Sequence, residues 1–261
     1  MRICTLASSS SGNCTVVSYN DTHLLIDAGI SLRRIKDCLH MINLTPGDIG
    51  AILITHAHTD HISGIKMLLK HHKTPVFSSV GAGNDICSAI PEAEPYINCF
   101  ETGAGFELGG ITVRSFTTQH DAPGSVGYTL HANGKKLAYA TDLGRVTDEV
   151  LQAACGANAA VIEANHDRNM LHNGPYPFHL KKRILSERGH LANNECGSFA
   201  ARLALSGSQY ILLAHLSREN NTPKLARDTV ANALRKEGLS VNKDVELDVA
   251  PPDIMGAAYA L

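Results

Sequence analysis

Thr55-His56-Ala57-His58-Thr59-Asp60-His61 follows the apolar run Ala51-Ile52-Leu53-Ile54. A short buried strand therefore feeds directly into four metal-ligand side chains within six positions. Imidazole nitrogens and carboxylate oxygens both bind divalent zinc, manganese or iron. A turning chain can send His56 and His58 to one ion while Asp60 and His61 reach a second. The spacing excludes a helical zincin, which needs histidines at i and i+4 with a glutamate beside the first, because no His-Glu-x-x-His occurs in the chain. The competing reading is a polar loop in a protein that has 14 histidines. A cluster this dense at the end of a strand favours the metal.

Composition sets the frame. The 261 residues fit one large domain, read as spanning 1–261, and 44% hydrophobic with 18% charged residues is ordinary for a globular fold with a sizeable core. Cys4, Cys14, Cys38, Cys87, Cys99, Cys155 and Cys196 are odd in number, scattered, and never form Cys-x-x-Cys. That pattern argues against a disulfide framework and against a cysteine zinc site, and predicts reduced thiols. The N-terminus meets a Ser/Gly turn too early for a signal peptide, and no run approaches the roughly 18 apolar residues of a membrane span. The expected location is the cytoplasm, with no membrane partner. A net charge of −2 excludes the broad basic surface of a strong nonspecific nucleic-acid binder but permits a local basic groove beside a cationic centre.

Strand-like runs at 3–7, 14–19 and 24–26 open the chain, the first two joined as a hairpin by the turn-rich stretch 8–13. A helix is predicted over 31–42, a strand over 50–55, and helical spacing over 62–72. Further strands fall at 76–78, 111–117, 125–131 and 136–141. The pattern then shifts to a helix at 147–154, a strand at 159–163, helices near 180–188 and 195–205, a strand at 210–214 and a helix from 223 to 237. For that last helix Thr222 serves as N-cap, Pro223 takes the first position, and Gly238 is the stop. Asn193 or Asn194 is the expected cap of the helix starting near Glu195. Strands grouped twice with flanking helices suggest two sheets packed face to face with helices outside, a four-layer αββα sandwich of the α/β class. Periodicity alone leaves other α/β arrangements open.

The histidine cluster after an apolar strand, with Asp27 at an earlier strand end, resembles the metallo-β-lactamase superfamily over nearly the whole chain. The resemblance implies three more ligands, matched in order by His120 in Thr118-Gln119-His120-Asp121, Asp142 in Tyr139-Ala140-Thr141-Asp142 and His215 in Leu212-Leu213-Ala214-His215. It implies one ion held by His56, His58 and His120, a second by Asp60, His61 and His215, and Asp142 bridging both. Asp27 then fixes the histidine loop through hydrogen bonds. The ions are zinc or manganese, with iron as a third candidate. Segments around Gly124, Glu163 and Gly189-His190 are similar to ribonuclease Z, which implies that His190 meets the scissile phosphate and Glu163 supports it.

A narrower likeness rests on Leu6-Ala7-Ser8-Ser9-Ser10-Ser11-Gly12-Asn13-Cys14, Ile162-Glu163-Ala164-Asn165-His166-Asp167, Gly189-His190-Leu191-Ala192-Asn193-Asn194 and the stretch from Leu213 to Asn221. These resemble the YycJ group, also called WalJ, of bacterial single-domain exonucleases. The likeness implies 5′-to-3′ degradation of DNA and a part in DNA repair. Ser9 stands where the group usually has glycine, which matters only if that position needs positive φ. No second nuclease domain of the ribonuclease J kind and no arm for transfer RNA is evident.

The implied chemistry follows from charge. Attack on an anionic phosphodiester needs neutralisation of the substrate and a nucleophile near pH 7, and two divalent ions supply both. Asp60, His190 and Glu163 are the candidate catalytic groups, with His190 stabilising developing charge or protonating the leaving oxygen. Among the basic residues Arg33, Arg34, Lys181, Lys182, Arg183 and Arg218, the first candidates for contacting the DNA are Arg183 and Arg218. His166 and Asp167 read as a pocket-wall pair or a loop support. His71, His72, His131, His172 and His179 read as structural. Two other functions compete: a phosphodiesterase for a small cyclic ester, and a non-catalytic metal-dependent regulatory module.

Overall fold

The computed structural model describes Met1–Leu261. In chain order the first half carries β1 (Arg2–Ser9), β2 (Gly12–Tyr19), β3 (Thr22–Ile26), α1 (Leu32–Met41), β4 (Ile49–Leu53), α2 (Thr59–Ile62), α3 (Ile65–His72), β5 (Val76–Ser79), α4 (Val80–Ala89) and β6 (Ile97–Phe100). The second half carries β7 (Gly105–Leu108), β8 (Ile111–Thr117), β9 (Val126–Ala132), β10 (Lys135–Ala140), α5 (Asp148–Ala154), β11 (Ala159–Glu163), α6 (Arg168–Asn173), α7 (Phe178–Ile184), α8 (Asn193–Leu205), β12 (Tyr210–Ala214), α9 (Pro223–Lys236), β13 (Glu246–Val249) and β14 (Ala258–Ala260). Two seven-stranded sheets result, ordered β14-β1-β2-β3-β4-β5-β6 and β13-β12-β11-β10-β9-β8-β7.

Alternation along each strand separates the layers. Leu24, Ile26 and Leu53 join Tyr128, Tyr139 and Val161 between the sheets. Leu25 and Ile52 point the other way, under Ile35, Leu39 and Leu68 of α1 and α3. Across the molecule Ile162 and Leu213 pack beneath Phe199 of α8 and Val230 of α9. The architecture is the expected αββα sandwich. No helix is long and apolar enough to cross a membrane, and all seven cysteines are free.

Several local expectations are corrected. The helical run over 62–72 breaks at Ser63-Gly64 into α2 and α3. A Cβ on Gly64 would sit 2.2 Å from the Ile30 carbonyl oxygen, and its N–H donates to the Ala28 carbonyl at 2.8 Å. The helix expected near 180–188 starts at Phe178, after Pro177, and stops at Ile184. Ala192, not Asn193 or Asn194, is the N-cap of α8, with no side-chain cap. Asn193 lies inside the helix because its amide pairs reciprocally with that of Asn221, at 3.0 and 2.8 Å. Ser9 ends β1 and is not among the residues with positive φ, so serine is unstrained there.

The chain direction places the site. β3 and β4 run parallel, as do β10, β11 and β12, so their carboxyl ends share one rim. Asp27 follows β3, Asp142 follows β10 by two residues, and His215 follows β12. These three adopt left-handed backbone, with φ of 60°, 58° and 56°. Aspartate and histidine tolerate that region better than branched residues do.

Candidate metal centre

The sharp turn after β4 delivers the histidine cluster into the cleft between the sheet rims. His58 is the N-cap of α2, so Asp60 and His61 occupy its single turn while His56 precedes it. Asp27 holds this turn from below. Its Oδ1 accepts the Thr55 N–H at 2.9 Å, and its Oδ2 lies 2.8 Å from His61 Nδ1. A carboxylate only accepts, so Nδ1 carries a proton and Nε2 is the nitrogen turned to the cleft, where a proton or an ion can occupy it. His120 is fixed in the same sense, with Nδ1 3.1 Å from the Gly189 carbonyl oxygen.

The seven expected ligands converge. His56, His58 and His120 form one group, Asp60, His61 and His215 another, and Asp142 reaches into the set with His56 and His61, all ligand atoms within a group lying within 4.8 Å of one another. The spacings fit bound cations. A tetrahedral ion with ligand bonds near 2.0–2.1 Å separates its donor atoms by about 3.3–3.4 Å. Asp60 Oδ2 lies 3.4 Å from His61 Nε2 and 3.2 Å from His215 Nε2. Asp142 Oδ2 lies 3.4 Å from His61 Nε2 and its Oδ1 3.5 Å from His215 Nε2. His58 Nδ1 and His120 Nε2 are 3.2 Å apart. His56 Nε2 and Asp142 Oδ2 are buried with no hydrogen-bond partner, a costly condition for groups of this polarity unless an ion completes them.

Electrostatics divides the set. Burial, and then the neighbouring His61, His120 and His58, drive the His56 imidazole well below its usual value; burial lowers His58 and His120 as well. The other half is richer in carboxylate. Burial opposes ionisation of Asp60, but hydrogen bonds from His215 and His61 hold it well below the usual range. Burial likewise opposes charging of His61, yet Asp27 and Asp142 outweigh it and raise that imidazole to about 10. This half attracts positive charge, whether proton or metal.

Glu163 ends β11 fully buried. Its Oε1 lies 2.8 Å from His190 Nδ1 and 3.0 Å from His215 Nδ1. Its Oε2 accepts the backbone N–H groups of Leu143 and Leu191 at 2.8 and 3.1 Å. Glu163 therefore positions two imidazoles and has no free edge for substrate, whereas His190 lies on the cleft. The cleft holds about 220 Å³ and is bordered by Asp60, Asp142, Tyr176, Arg183 and His190.

Arg183 faces this cleft and pairs with Asp121, one bond measuring 3.0 Å. Arg218 instead pairs with Asp253, and neither is among the residues that border the cleft, although the adjoining Ser217 is. Arg33 and Arg34 pair at longer range with Asp37 and Asp253. Asp167 caps α6 by accepting from Asn169 and Met170 N–H groups, both at 2.9 Å. His166 is buried and does not border the cleft; burial lowers it to about 4 and neither ring nitrogen has a partner. His71, His72, His172 and His179 are exposed and His131 half-buried, with none in the ligand groups. Sequence reasoning missed Asn13, Thr55, Asp121 and Asn165. Only Asn13 had a signal, its place in the Ser-rich opening turn.

Residues 22–216 match the Beta-lactamase superfamily domain. The chain is 37% identical over 250 residues to exodeoxyribonuclease YycJ of Bacillus anthracis, covering 95% of this chain and 94% of that protein. It is 35% identical over 253 residues to exodeoxyribonuclease WalJ of Streptococcus pneumoniae, covering 95% and 93%. Among solved structures, Zn(2+)-bound PqqB from Methylobacterium extorquens superposes with a TM-score of 0.74 at 18% identity over 100% of both chains, which supports the fold. With this sandwich and this histidine and aspartate cluster at its rim, the chain belongs to the metallo-β-lactamase superfamily, within it to the YycJ/WalJ group, and is a metal-dependent hydrolase.

Proposed function

We propose that this chain is a dinuclear phosphodiesterase that degrades DNA from the 5′ end. The observation that carries the reading is the pair of ligand groups meeting at Asp142, with His190 beside them on the cleft. The likeness to two exodeoxyribonucleases over 95% of the chain supports DNA as substrate and a part in DNA repair. The seven free cysteines support a reducing cytoplasmic setting. Zinc and manganese both suit the nitrogen and oxygen donor set.

His56, His58 and His120 would hold one ion, Asp60, His61 and His215 the other, and Asp142 both. Bound divalent ions supply charge neutralisation and an acidified water. The remaining work belongs to the chain. Asp27 and Glu163 keep the Nδ1 protons of His61 and His215 in place, so both Nε2 atoms stay available. Glu163 also takes the Nδ1–H of His190, which turns His190 Nε2 toward the scissile phosphate to stabilise charge or protonate the leaving oxygen. Arg183 offers a fork to a neighbouring phosphate once it exchanges Asp121 for substrate.

The test is digestion of end-labelled duplex DNA, single-stranded DNA, RNA and a cyclic phosphodiester by manganese- or zinc-loaded protein. Progressive release of label from the 5′ end of DNA is expected. DNA surviving while the cyclic ester is consumed makes the chain a small-molecule phosphodiesterase instead, and metal binding without any turnover makes it a regulatory module.

A further inference from the structure

The turn over 8–13 does more than join β1 to β2. Asn13 is buried, and its amide is oriented by its own hairpin. The Ser9 N–H donates to Asn13 Oδ1 at 3.2 Å, and Asn13 Nδ2 donates to the Ser9 carbonyl at 2.9 Å. Exchanging the amide oxygen and nitrogen would set donor against donor and acceptor against acceptor, so these partners decide the orientation. One Nδ2 hydrogen is thereby used. The other faces Asp60, with Nδ2 3.3 Å from Oδ2 and 3.4 Å from the carbonyl oxygen, and His61 Nε2 at 3.2 Å.

The neighbouring strand supplies a second contact. Ser8 Oγ accepts the backbone N–H of His215 at 2.9 Å and lies 3.5 Å from Asn13 Oδ1. A single turn in one sheet thus grips Asp60, in the short helix α2 that follows β4 of its own sheet, and His215, at the rim of the opposite sheet. Tight packing fixes the turn. The Gly29 N–H donates to the Asn13 carbonyl at 2.7 Å, a Cβ on Gly12 would fall 2.7 Å from the Gly29 carbonyl oxygen, and a Cβ on Gly29 would fall 1.6 Å from that of Asp60. His56, His58 and His120 have their partners elsewhere: His56 lies against Thr55 Oγ1, His58 and His120 against each other, and His120 Nδ1 donates to the Gly189 carbonyl.

We infer that this turn is a clasp for one metal position alone: Asn13 and Ser8 hold Asp60 and His215 in register and set the affinity of the Asp60–His61–His215 half without acting on the His56–His58–His120 half. The inference rests on the two-ion reading above. Asn13 is a positioning residue, since its amide nitrogen donates to a ligand and has no lone pair for an ion. Thr55 is shared, its Oγ1 lying 3.1 Å from His56 Nδ1 and 3.2 Å from His61 Nδ1, but beyond it each half has its own support, Asn13 and Ser8 for one and the Gly189 carbonyl for the other. One ion can then be weakened while the second stays bound.

The experiment compares the full chain with Asn13→Ala and Ser8→Ala by equilibrium dialysis against zinc and against cobalt, counting ions per chain and recording the cobalt visible spectrum. The unmodified chain should bind two ions. Each variant should keep one at unchanged affinity and bind the other about 10–100-fold more weakly, the usual effect of removing a group that orients a ligand. Only part of the cobalt spectrum should be lost at limiting metal. Ser8→Ala carries the test if Asn13→Ala does not fold, as judged by circular dichroism of the metal-free proteins. Two ions bound at unchanged affinity in the variants overturns the clasp alone, as does equal weakening of both ions. A single ion in the unmodified chain overturns the two-ion reading and the clasp with it.

Discussion

Glu163→Gln sets the geometry of the site a sharp problem. The native carboxylate accepts four N–H groups, two imidazole and two backbone, and is fully buried. Glutamine offers one accepting edge and one donating edge. Whichever way its amide turns, the NH2 meets two donors. Facing Leu143 and Leu191, it leaves two buried backbone N–H groups unpaired, each costing about 1–3 kcal/mol, or about 2–6 kcal/mol together. At about 2–4 °C per kcal/mol for a chain of a few hundred residues, the metal-free protein would melt lower by roughly 5–20 °C. Facing the imidazoles, it forces His190 and His215 to accept at Nδ1 and carry the proton on Nε2. His215 then has no lone pair aimed at its ion, and affinity at that position falls by about 10–100-fold. Calorimetry of the metal-free protein and dialysis against zinc separate the two outcomes. A variant with the native melting temperature and native affinity for both ions would refute the role assigned to Glu163.

Asp142→Ala should lower metal content and abolish hydrolysis, because Asp142 approaches donor atoms of His61 and His215 on one side and His120 on the other; elemental analysis finding full occupancy in an active variant would end the bridging assignment. His190→Ala should keep both ions while turnover falls by roughly a hundredfold to ten-thousandfold, and loss of metal on that substitution would make the residue a ligand instead. On DNA, activity should fall with salt, each phosphate contact adding roughly −0.7 to −0.9 to the log-log slope. Arg183→Ala should remove about one such contact while leaving a cyclic phosphodiester unaffected, and identical slopes for variant and native protein would take Arg183 off the DNA track.

The sandwich was legible because its inner strands are apolar runs with few polar interruptions, bounded by turn residues. Runs such as 111–117, 159–163 and 210–214 matched β8, β11 and β12 to the residue. The strands β6, β7, β13 and β14 were not foreseen, since edge strands of three or four residues with mixed exposure leave no period to read. The same applies to α4, whose sequence Val80-Gly81-Ala82-Gly83 carries two glycines where a helix former would have announced it. Asn193 misled for a physical reason. An asparagine near a helix start is a good cap only when its amide is free, and here Asn221 occupies it.

The ligands divide in the same way. His56, His58, Asp60 and His61 announce themselves by density, whereas His120, Asp142 and His215 became readable only through their order behind that cluster. A device shared by three residues of the site, though not by His120, is invisible in composition. Asp27, Asp142 and His215 each leave a strand end in left-handed backbone, a conformation that costs roughly 1–3 kcal/mol for a residue with a side chain. Three such residues carry strain comparable with a sizeable part of the roughly 5–15 kcal/mol by which a domain is stable, so each must be held by its surroundings. Asp27 is held through Thr55 and His61, and His215 through Ser8, Asn165 and Glu163. Asp142 has no comparable set. Its Oδ2 is buried without a partner, and its carboxyl lies below the usual range, against the pull of burial, because His215, His61 and His120 surround it. The protein thus secures the outer two strand-end residues with its own hydrogen bonds and leaves the central one to be satisfied by positive charge. On the two-ion reading proposed above, a carboxylate that would bridge two cations fits this arrangement, and metal loading is then expected to stabilise the fold through Asp142.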